Sequence, residues 1–309
     1  MNRVYDLLII GAGPAGLSAG IYGARAGLDT VILEKGITGG TITMTDLIEN
    51  YPAFPAGISG NQLADLMAKQ CLRFGVEIHN REVRKVISEK DTFLIQTVNG
   101  EFSSRSLIIA TGSSPRRLDI PGENKFLGKG VSYCATCDGP LFKNQDIAII
   151  GCGNSGLQEG RFLLRFVRNI TFVEFLPYVT GDKILYDYFT NKELVNFLLE
   201  HEVISINGQE KVESIKVRDR KTGKEKIVPV GGVFIYVGLI PNSDFVRGYL
   251  KTDENGFIYT NENFETSVPG IFAAGDIRVK KIRQVVVACS EGAQAAINAH
   301  HYLERKRGI

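Results

Sequence analysis

The chain has 309 residues, 44% hydrophobic and 23% charged, an ordinary composition for a globular protein large enough for two domains. Its formal net charge of +2 creates no strong field for nucleic acid or an anionic membrane. No apolar run approaches the roughly 20 residues that span a bilayer. Because an apolar run begins at residue 5, we expect no signal peptide. We therefore expect a cytoplasmic protein whose partners include neither nucleic acid nor membrane.

The first part of the chain reads as strand, turn, helix and strand. The apolar run at 5–10 is typical of a buried parallel strand, GAGPAG at 11–16 is a glycine-rich turn, and 17–27 has helical spacing before a strand at 30–36. In a GxGxxG turn the glycines permit a tight bend, close approach to a pyrophosphate and packing of helix on strand. Glu34 is then expected to bind the hydroxyl groups of an adenosine ribose.

The same pattern recurs with a strand at 146–150, GCGNSG at 151–156, a helix at 157–167 and a strand at 170–174. Glu174 stands 23 residues after Gly151, which is also the separation between Gly11 and Glu34. This repetition indicates an internal duplication of a dinucleotide-binding unit. Two such units predict two dinucleotides, normally a flavin and a nicotinamide.

The remaining segments predict the domain organisation. We expect helices at 60–74, near 192–201 and at 289–305, with short strands between them and an apolar strand at 270–276. Proline- and glycine-containing segments at 113–123 and 239–244 are candidate crossings between domains. The predicted class is α/β, with two Rossmann-like, three-layer ββα domains. The second is inserted in the first: residues 1–114 and 246–309 form one domain, and 115–245 the other. The aspartate that ends the strand at 270–276 can accept hydrogen bonds from a polyol such as a ribityl chain, which favours the first as the FAD-binding domain. The second, which carries the CxxC, is then the pyridine-nucleotide-type domain.

The chain has an odd, sparse set of five cysteines, which is not a disulfide framework: Cys71, Cys134, Cys137, Cys152 and Cys289. A single CxxC with four scattered histidines does not supply the paired ligands of structural zinc, so no metal is expected. We interpret the three cysteines outside the motif as small buried residues.

The cysteine pair stands in YCATCDGPLF at 133–142. A CxxC near a helix start favours thiolate over thiol, and therefore disulfide exchange, although an inert packed pair is the alternative. Asp138 is placed to donate and accept a proton for the departing thiolate. A turn-forming aspartate before Gly139-Pro140 is its simpler interpretation.

The motifs stand together in a specific order along nearly the whole chain: GAGPAG (11–16), GG (39–40), ENYPAFP (49–55), ATG (110–112), CATCD (134–138), GCGNSG (151–156), FIYVGLIPN (234–242), GIFAAGD (270–276) and IRQV (282–285). In this the sequence resembles the low-molecular-weight thioredoxin reductases, which are flavoprotein disulfide reductases. The resemblance implies an FAD-dependent enzyme that forms a homodimer and reduces thioredoxin or a thioredoxin-like protein.

The resemblance also implies roles for individual residues. Cys137 would face the flavin, and Cys134 would attack the partner's disulfide. The family rotates one domain against the other between these two tasks, so we expect hinges at 113–123 and 239–244. The FAD-binding residues would be Gly11, Gly13, Ala15 and Gly16 at the pyrophosphate, Glu34 at the ribose, Gly40, Thr41, Ile42, Thr45 and Asn50 at the flavin, Val83 at the adenine, Ala110 and Gly112 at the cofactor's border, and Asp276, Arg283, Gln284 and Val285 at the ribityl chain and ring.

The electron donor is where the sequence departs from the family. NADPH-using members carry a basic cluster after the second strand of the nicotinamide domain, but here Glu174 is followed by FLPYVTGD, without a basic residue before Lys183. A carboxylate there would repel a 2′-phosphate, so NADPH is an unlikely donor. Glu174 could instead bind the ribose of NADH. Alternatively, the second site is vestigial, as in atypical archaeal and anaerobic relatives that use ferredoxin, a deazaflavin or another donor, and the sequence looks closer to these.

Two other functions share the same residues. A dithiol oxidase would use FAD and the cysteine pair to pass electrons to oxygen, and a redox sensor would use them without turnover. The intact CxxC and Asp138 favour an enzyme over a sensor. Type II ferredoxin–NADP reductases share the fold but lack the pair, so Cys134 and Cys137 exclude that class.

Overall fold

The computed structural model describes residues 3–44, 48, 50–190 and 192–308, without the side chains of Met44, Thr136 and Cys137. Its strands are β1 (Val4–Ile10), β2 (Thr30–Glu34), β3 (Glu77–Asn80), β4 (Val83–Ser88), β5 (Phe93–Thr97), β6 (Gly100–Ile109), β7 (Ser113–Pro115), β8 (Val131–Ser132), β9 (Asp146–Ile150), β10 (Asn169–Val173), β11 (Val195–Leu198), β12 (His201–Asn207), β13 (Ser214–Asp219), β14 (Glu225–Pro229), β15 (Gly232–Ile235), β16 (Leu239–Pro241) and β17 (Ile271–Ala273). Its helices are α1 (Pro14–Arg25), α2 (Gly60–Arg73), α3 (Ala135–Asp138), α4 (Asn154–Leu163), α5 (Lys183–Thr190) and α6 (Val285–Arg307).

The chain divides into two compact units, residues 1–114 with 240–309, and residues 115–239. The chain leaves the first unit within β7 and returns within β16, and these two strands pair. The return therefore lies at 239/240 rather than at the 245/246 boundary expected from the sequence. The difference arises because Asn242 hydrogen-bonds to Thr111 and Gly112, which holds the residues after β16 in the first unit.

The first unit has three layers around a sheet of order β3-β2-β1-β6, in which β17 also pairs with β6. These pairings are parallel, and β5 and β4 continue the sheet in antiparallel fashion. Alternation along β1 separates two cores. Leu7 and Ile9 pack with residues of α1, α2 and α6, whereas Leu8 and Ile10 pack with residues of β4 and β5.

The second unit repeats this arrangement around a parallel sheet of order β11-β10-β9-β15-β8. Along β9, Ile147 and Ile149 pack with residues of α4, whereas Ala148 and Ile150 pack with residues of the antiparallel sheet β12-β13-β14. The prediction of two Rossmann-like three-layer ββα domains is thus confirmed.

The prediction of a helix near 192–201 is wrong. Residues 195–198 form β11, which pairs in parallel with β10, with Ile170 opposite Val195. The helix of this region comes earlier, as α5. The sheet edge decides the conformation, because β11 satisfies backbone groups of β10 and stacks the half-buried Phe197 on Phe172, with ring centroids 4.8 Å apart.

Of the helices in the described ranges, none combines the length and apolarity needed to cross a membrane.

Candidate nucleotide and dithiol sites

The first glycine turn is shaped by close backbone approaches. Gly11 has φ +105°, and a Cβ at this position would lie 2.5 Å from the carbonyl oxygen of Ala110. A Cβ at Gly16 would lie 1.8 Å from the carbonyl oxygen of Gly11. Gly13, by contrast, has open space beside it. Two glycines therefore permit the turn itself, and the third leaves the approach to the helix start unobstructed.

The carboxylate of Glu34 organises this turn from the end of β2. One oxygen accepts a 2.7 Å hydrogen bond from the backbone N–H of Ala12, and the other accepts a 2.8 Å bond from that of Gly36. An ionised carboxylate is a strong acceptor for backbone N–H groups, so Glu34 ties β2 to the turn. Its side chain also lines the cavities described next.

Two cavities that share Gly11, Glu34, Lys35, Thr111 and Asn242 open at the carboxyl ends of β1 and β2, with volumes of about 370 and 580 Å³. Both sizes fit a bound cofactor. Val83 of the predicted FAD set lines the smaller cavity. Thirteen other residues of that set line the larger one: Gly11, Gly13, Ala15, Glu34, Gly40, Thr41, Ile42, Ala110, Gly112, Asp276, Arg283, Gln284 and Val285.

Three residues of the predicted set stand apart from the cavity lining. Gly16 closes the turn against the carbonyl oxygen of Gly11. Asn50 donates a 2.9 Å hydrogen bond from Nδ2 to Gln284 Oε1, so it meets the cavity through Gln284. Thr45 lies outside the described residues.

Buried polar atoms without partners make these cavities suitable for a polar cofactor. Among the described residues, Arg283 Nε and Arg81 Nε are buried and lack a hydrogen bond. Each belongs to a residue that lines one of the cavities. Buried polar atoms are nearly always hydrogen-bonded, so a ligand with hydroxyl groups and phosphate oxygens would complete them. The residues present therefore fit FAD.

Sequence reasoning missed Arg81 and Asn242 as parts of this site. Arg81 follows a strand edge without any motif to identify it. Asn242 appears in the quoted LIPN segment, but its role depends on a partner far away in the chain. Thr111 Oγ1 donates a 2.8 Å hydrogen bond to the carbonyl oxygen of Asn242, and Asn242 Nδ2 donates a 2.9 Å hydrogen bond to the carbonyl oxygen of Thr111. No local pattern reveals such a contact.

The second glycine turn repeats the first in detail. Gly151 has φ +102°, and a Cβ there would lie 2.3 Å from the carbonyl oxygen of Tyr236. The carboxylate of Glu174 accepts a 2.7 Å hydrogen bond from the N–H of Cys152 and a 3.0 Å bond from that of Leu176. Glu174 is only 8% exposed. The duplication therefore extends from spacing to hydrogen bonding.

A cation missed by sequence reasoning reaches the end of β10. Arg220, in the turn after β13, donates a 3.0 Å hydrogen bond from Nη1 to the carbonyl oxygen of Phe175, and its guanidinium lies 3.5 Å from the centre of the Phe175 ring. Residues 175–182 contain no basic residue, yet the fold brings one to Phe175 from 45 residues further along the chain.

The motif CATCD lies between β8 and the second glycine turn. Cys134 is disulfide-bonded, whereas Cys71, Cys152 and Cys289 are free. Helix α3 begins one residue after Cys134, whose N–H donates a 3.0 Å bond to Ser132 Oγ. The side chain of Cys137 lies outside the described part of the structure.

The helix carrying the motif is anchored from beneath by Tyr236, whose hydroxyl accepts a 2.9 Å hydrogen bond from the N–H of Ala135. Burial is the main cause that raises the pKa of Tyr236 well above its ordinary value, and the charge of Glu159 raises it further. The phenol therefore stays protonated. Burial likewise raises the pKa of Glu159 on α4. Asp138 is partly exposed, and its N–H donates a 3.2 Å bond to the carbonyl oxygen of Cys134.

The three free cysteines have the character of thiols. Burial raises the pKa of Cys71 to about 12, and burial with the charge of Glu174 raises that of Cys152 further. Burial also raises the pKa of Cys289, which is only half-buried, unlike the fully buried residue expected from the sequence. A raised pKa removes the nucleophilic thiolate, so Cys134, which is disulfide-bonded, differs chemically from these three.

Fold and turns together are those of a dinucleotide-binding oxidoreductase, and comparisons with known proteins agree. The family model described as "Pyridine nucleotide-disulphide oxidoreductase" matches residues 5–292. The thioredoxin reductase of Listeria innocua is 41% identical over 304 residues, which cover 98% of this chain and 95% of the relative.

Solved structures give the same result. The thioredoxin reductase of Lactococcus lactis matches with a TM-score of 0.87 and 40% identity over 97% of this chain and 99% of that one. The enzyme of T. acidophilum matches with a TM-score of 0.84 and 36% identity over 97% and 99%. The chain belongs to the low-molecular-weight thioredoxin reductase family of flavoprotein disulfide oxidoreductases.

Proposed function

We propose that this enzyme reduces the disulfide of thioredoxin or a thioredoxin-like protein through Cys134 and Cys137, with FAD held in the first unit and electrons that come from a donor other than NADPH. The observation that carries the proposal is the disulfide-bonded Cys134 at the start of α3, in a chain whose first unit offers a cavity fitted to FAD. Residues 115–239 would act as the pyridine-nucleotide-type domain. The active form would be a cytoplasmic homodimer.

The chain's own residues would hold the cofactor and carry out thiol exchange. Glu34 would accept from the ribose, Asp276 from the ribityl chain, and Arg283 and Gln284 would contact the flavin end. Bound FAD would supply a two-electron carrier. Two electrons and two protons break the Cys134–Cys137 disulfide into two thiols, and Asp138 would move the proton that turns one into a thiolate.

Exchange with the partner would then proceed in two steps. The Cys134 thiolate attacks the partner's disulfide, forms a mixed disulfide and releases one partner thiolate, which takes up a proton. Cys137 gives up its proton and attacks Cys134 in the mixed disulfide, which restores the Cys134–Cys137 bond and releases the second partner thiolate, and that thiolate takes up the proton. The partner gains two electrons and two protons, and the chain returns to its starting state.

The donor proposal rests on charge at the end of β10. Glu174 keeps a carboxylate beside the second glycine turn, where a 2′-phosphate would bring like charge. Arg220 is occupied by the carbonyl oxygen and ring of Phe175, so it would have to break those contacts to bind a phosphate. The intact second turn favours NADH among the remaining donors, and ferredoxin or a deazaflavin is the competing class.

Anaerobic flavin reduction tests this proposal. The purified holoenzyme is mixed with NADH, NADPH or reduced ferredoxin, and flavin absorbance is followed. We expect NADH or ferredoxin to bleach the flavin at least about tenfold faster than NADPH, since one unfavourable unit charge readily costs this much. Equal or faster bleaching by NADPH overturns the donor proposal.

A paired variant tests the exit of electrons. Cys134→Ser should leave flavin reduction intact and abolish thioredoxin turnover, whereas Cys289→Ser, outside the motif, should retain turnover. Thioredoxin reduction by Cys134→Ser would contradict the assignment of the attacking thiol. Rapid oxygen consumption with dithiol substrates but no thioredoxin turnover would indicate a dithiol oxidase instead.

A further inference from the structure

Four charged side chains form a compact cluster, which we call the Glu291 cluster: Asp276, Arg278, Lys280 and Glu291. Lys280 Nζ lies 3.0 Å from Asp276 Oδ1 and 3.3 Å from Glu291 Oε2. Arg278 Nη1 lies 3.0 Å from Glu291 Oε1. Glu291 Oε2 also accepts a 2.7 Å hydrogen bond from the N–H of Gly275.

The cluster is largely buried and electrically balanced, and its most exposed side chain is that of Asp276, at 32%. Glu291 is 7% exposed, and the side chains of Lys280 and Arg278 are 10% and 15% exposed. Arg278 is held further by Thr260 Oγ1 at 2.9 Å and by the Phe264 ring at 4.4 Å. With two cations and two carboxylates, the cluster is neutral. Loss of one partner would leave a net charge in a poorly solvated place.

One member of the cluster lines the larger cavity. That member is Asp276, whose Oδ1 is paired with Lys280 Nζ at 3.0 Å. Glu291 fixes the neighbouring residue Gly275, and Lys280 fixes the carboxylate itself. The position and the charge environment of Asp276 are therefore set by two side chains that do not line the cavity.

We propose that Glu291 and Lys280 are positioning residues for the flavin, which hold Asp276 toward the cofactor and set the electrostatic potential that the flavin experiences. This inference rests on the occupation of the larger cavity by FAD. Because reduced flavin is more negative than oxidised flavin, a net positive charge in the cluster stabilises the reduced form, and a net negative charge destabilises it.

Two variants with opposite charge changes test the inference in the holoenzyme. Glu291→Gln leaves the cluster with a net charge of +1, and Lys280→Met leaves −1. We expect the flavin midpoint potential to rise in the first and fall in the second, where a tenfold change in the two-electron equilibrium corresponds to about 30 mV. Both should release FAD more readily than the wild type, by several-fold in Kd.

Control variants separate this role from damage to the fold. Lys280→Arg keeps the charge and should keep the wild-type potential, as should Glu262→Gln on the exposed surface of the same unit. If Glu291→Gln does not fold, the comparison of Lys280→Met with Lys280→Arg decides alone. A potential that is unchanged in Lys280→Met, or that moves in the same direction in both charge variants, overturns the inference while the proposed function stands. A wild-type chain that binds no FAD overturns both.

Discussion

At the scale of residues, the two acids that end β2 and β10 perform the same local task. Glu34 binds the N–H groups of Ala12 and Gly36, and Glu174 binds those of Cys152 and Leu176. The sequence predicted both positions, because the spacing between glycine and acid is a property of a βαβ unit. It could not predict that both oxygens of each carboxylate accept hydrogen bonds from backbone N–H groups. Nor could it predict that Arg220, from a distant turn, contacts Phe175. Contacts between distant segments depend on the fold, not on local spacing.

This equivalence predicts different consequences of the same substitution at the two acids. Glu34→Gln replaces one accepting oxygen with an amide that cannot accept from an N–H, and it removes the charge beside the cavity. Loss of a charge-assisted hydrogen bond costs about 1.5–3 kcal/mol, so FAD should bind about tenfold or more weakly. Glu174→Gln serves as the matched control, with the same local damage in the other unit and an FAD affinity within about twofold of wild type. Fluorescence titration of apoprotein with FAD measures both, and equal losses would show that the acids act only through global stability.

At the scale of elements, the two repeated units were predictable and the region after β10 was not. Strands such as β1 and β9 are continuous apolar runs followed by glycine turns, and both signals are local. Residues 192–201 contain good helix formers, yet 195–198 within them form an edge strand, because β10 requires a neighbour and the aromatic residues of α5 and β11 share one core. Tertiary context overrides propensity where a sheet edge is available.

The strand assignment of β11 predicts a sharp contrast between adjacent residues. Phe197 stacks on Phe172 and contacts Tyr186 at 5.1 Å, whereas Asn196 is exposed. Phe197→Ala should destabilise the second unit by about 2–4 kcal/mol, somewhat below the cost for a fully buried ring, and Asn196→Ala by less than about 0.5 kcal/mol. Hydrogen exchange read by mass spectrometry should show faster exchange in peptides from β9 to β11 of the first variant only. Similar exchange in the two variants would argue against the packing of Phe197 described here.

At the scale of the whole molecule, each unit has its own cores, and both cavities belong to the first unit alone. Most of the cavity lining could be predicted, since family motifs mark the turns and strand ends that form it. Arg81 could not, because no motif marks it, and neither could Asn242 or Glu291, because each acts through residues outside its own segment. Separate cores imply that a cofactor bound in the first unit need not stabilise the second.

This separation predicts how FAD will affect stability. A ligand that binds only the folded form stabilises it by RT ln(1 + [L]/Kd), about 2.7 kcal/mol at a hundredfold excess of free ligand over Kd. Amides of β1, β2 and α6 should therefore gain up to about a hundredfold protection from hydrogen exchange when FAD is added to the apoprotein, since local openings there expose the site. Amides of β9, β10 and β13 should change by less than about threefold, because their cores are lined entirely by residues of the second unit. Equal protection in both units would mean that they open as one cooperative body, in which case the Phe197→Ala variant should also weaken FAD binding.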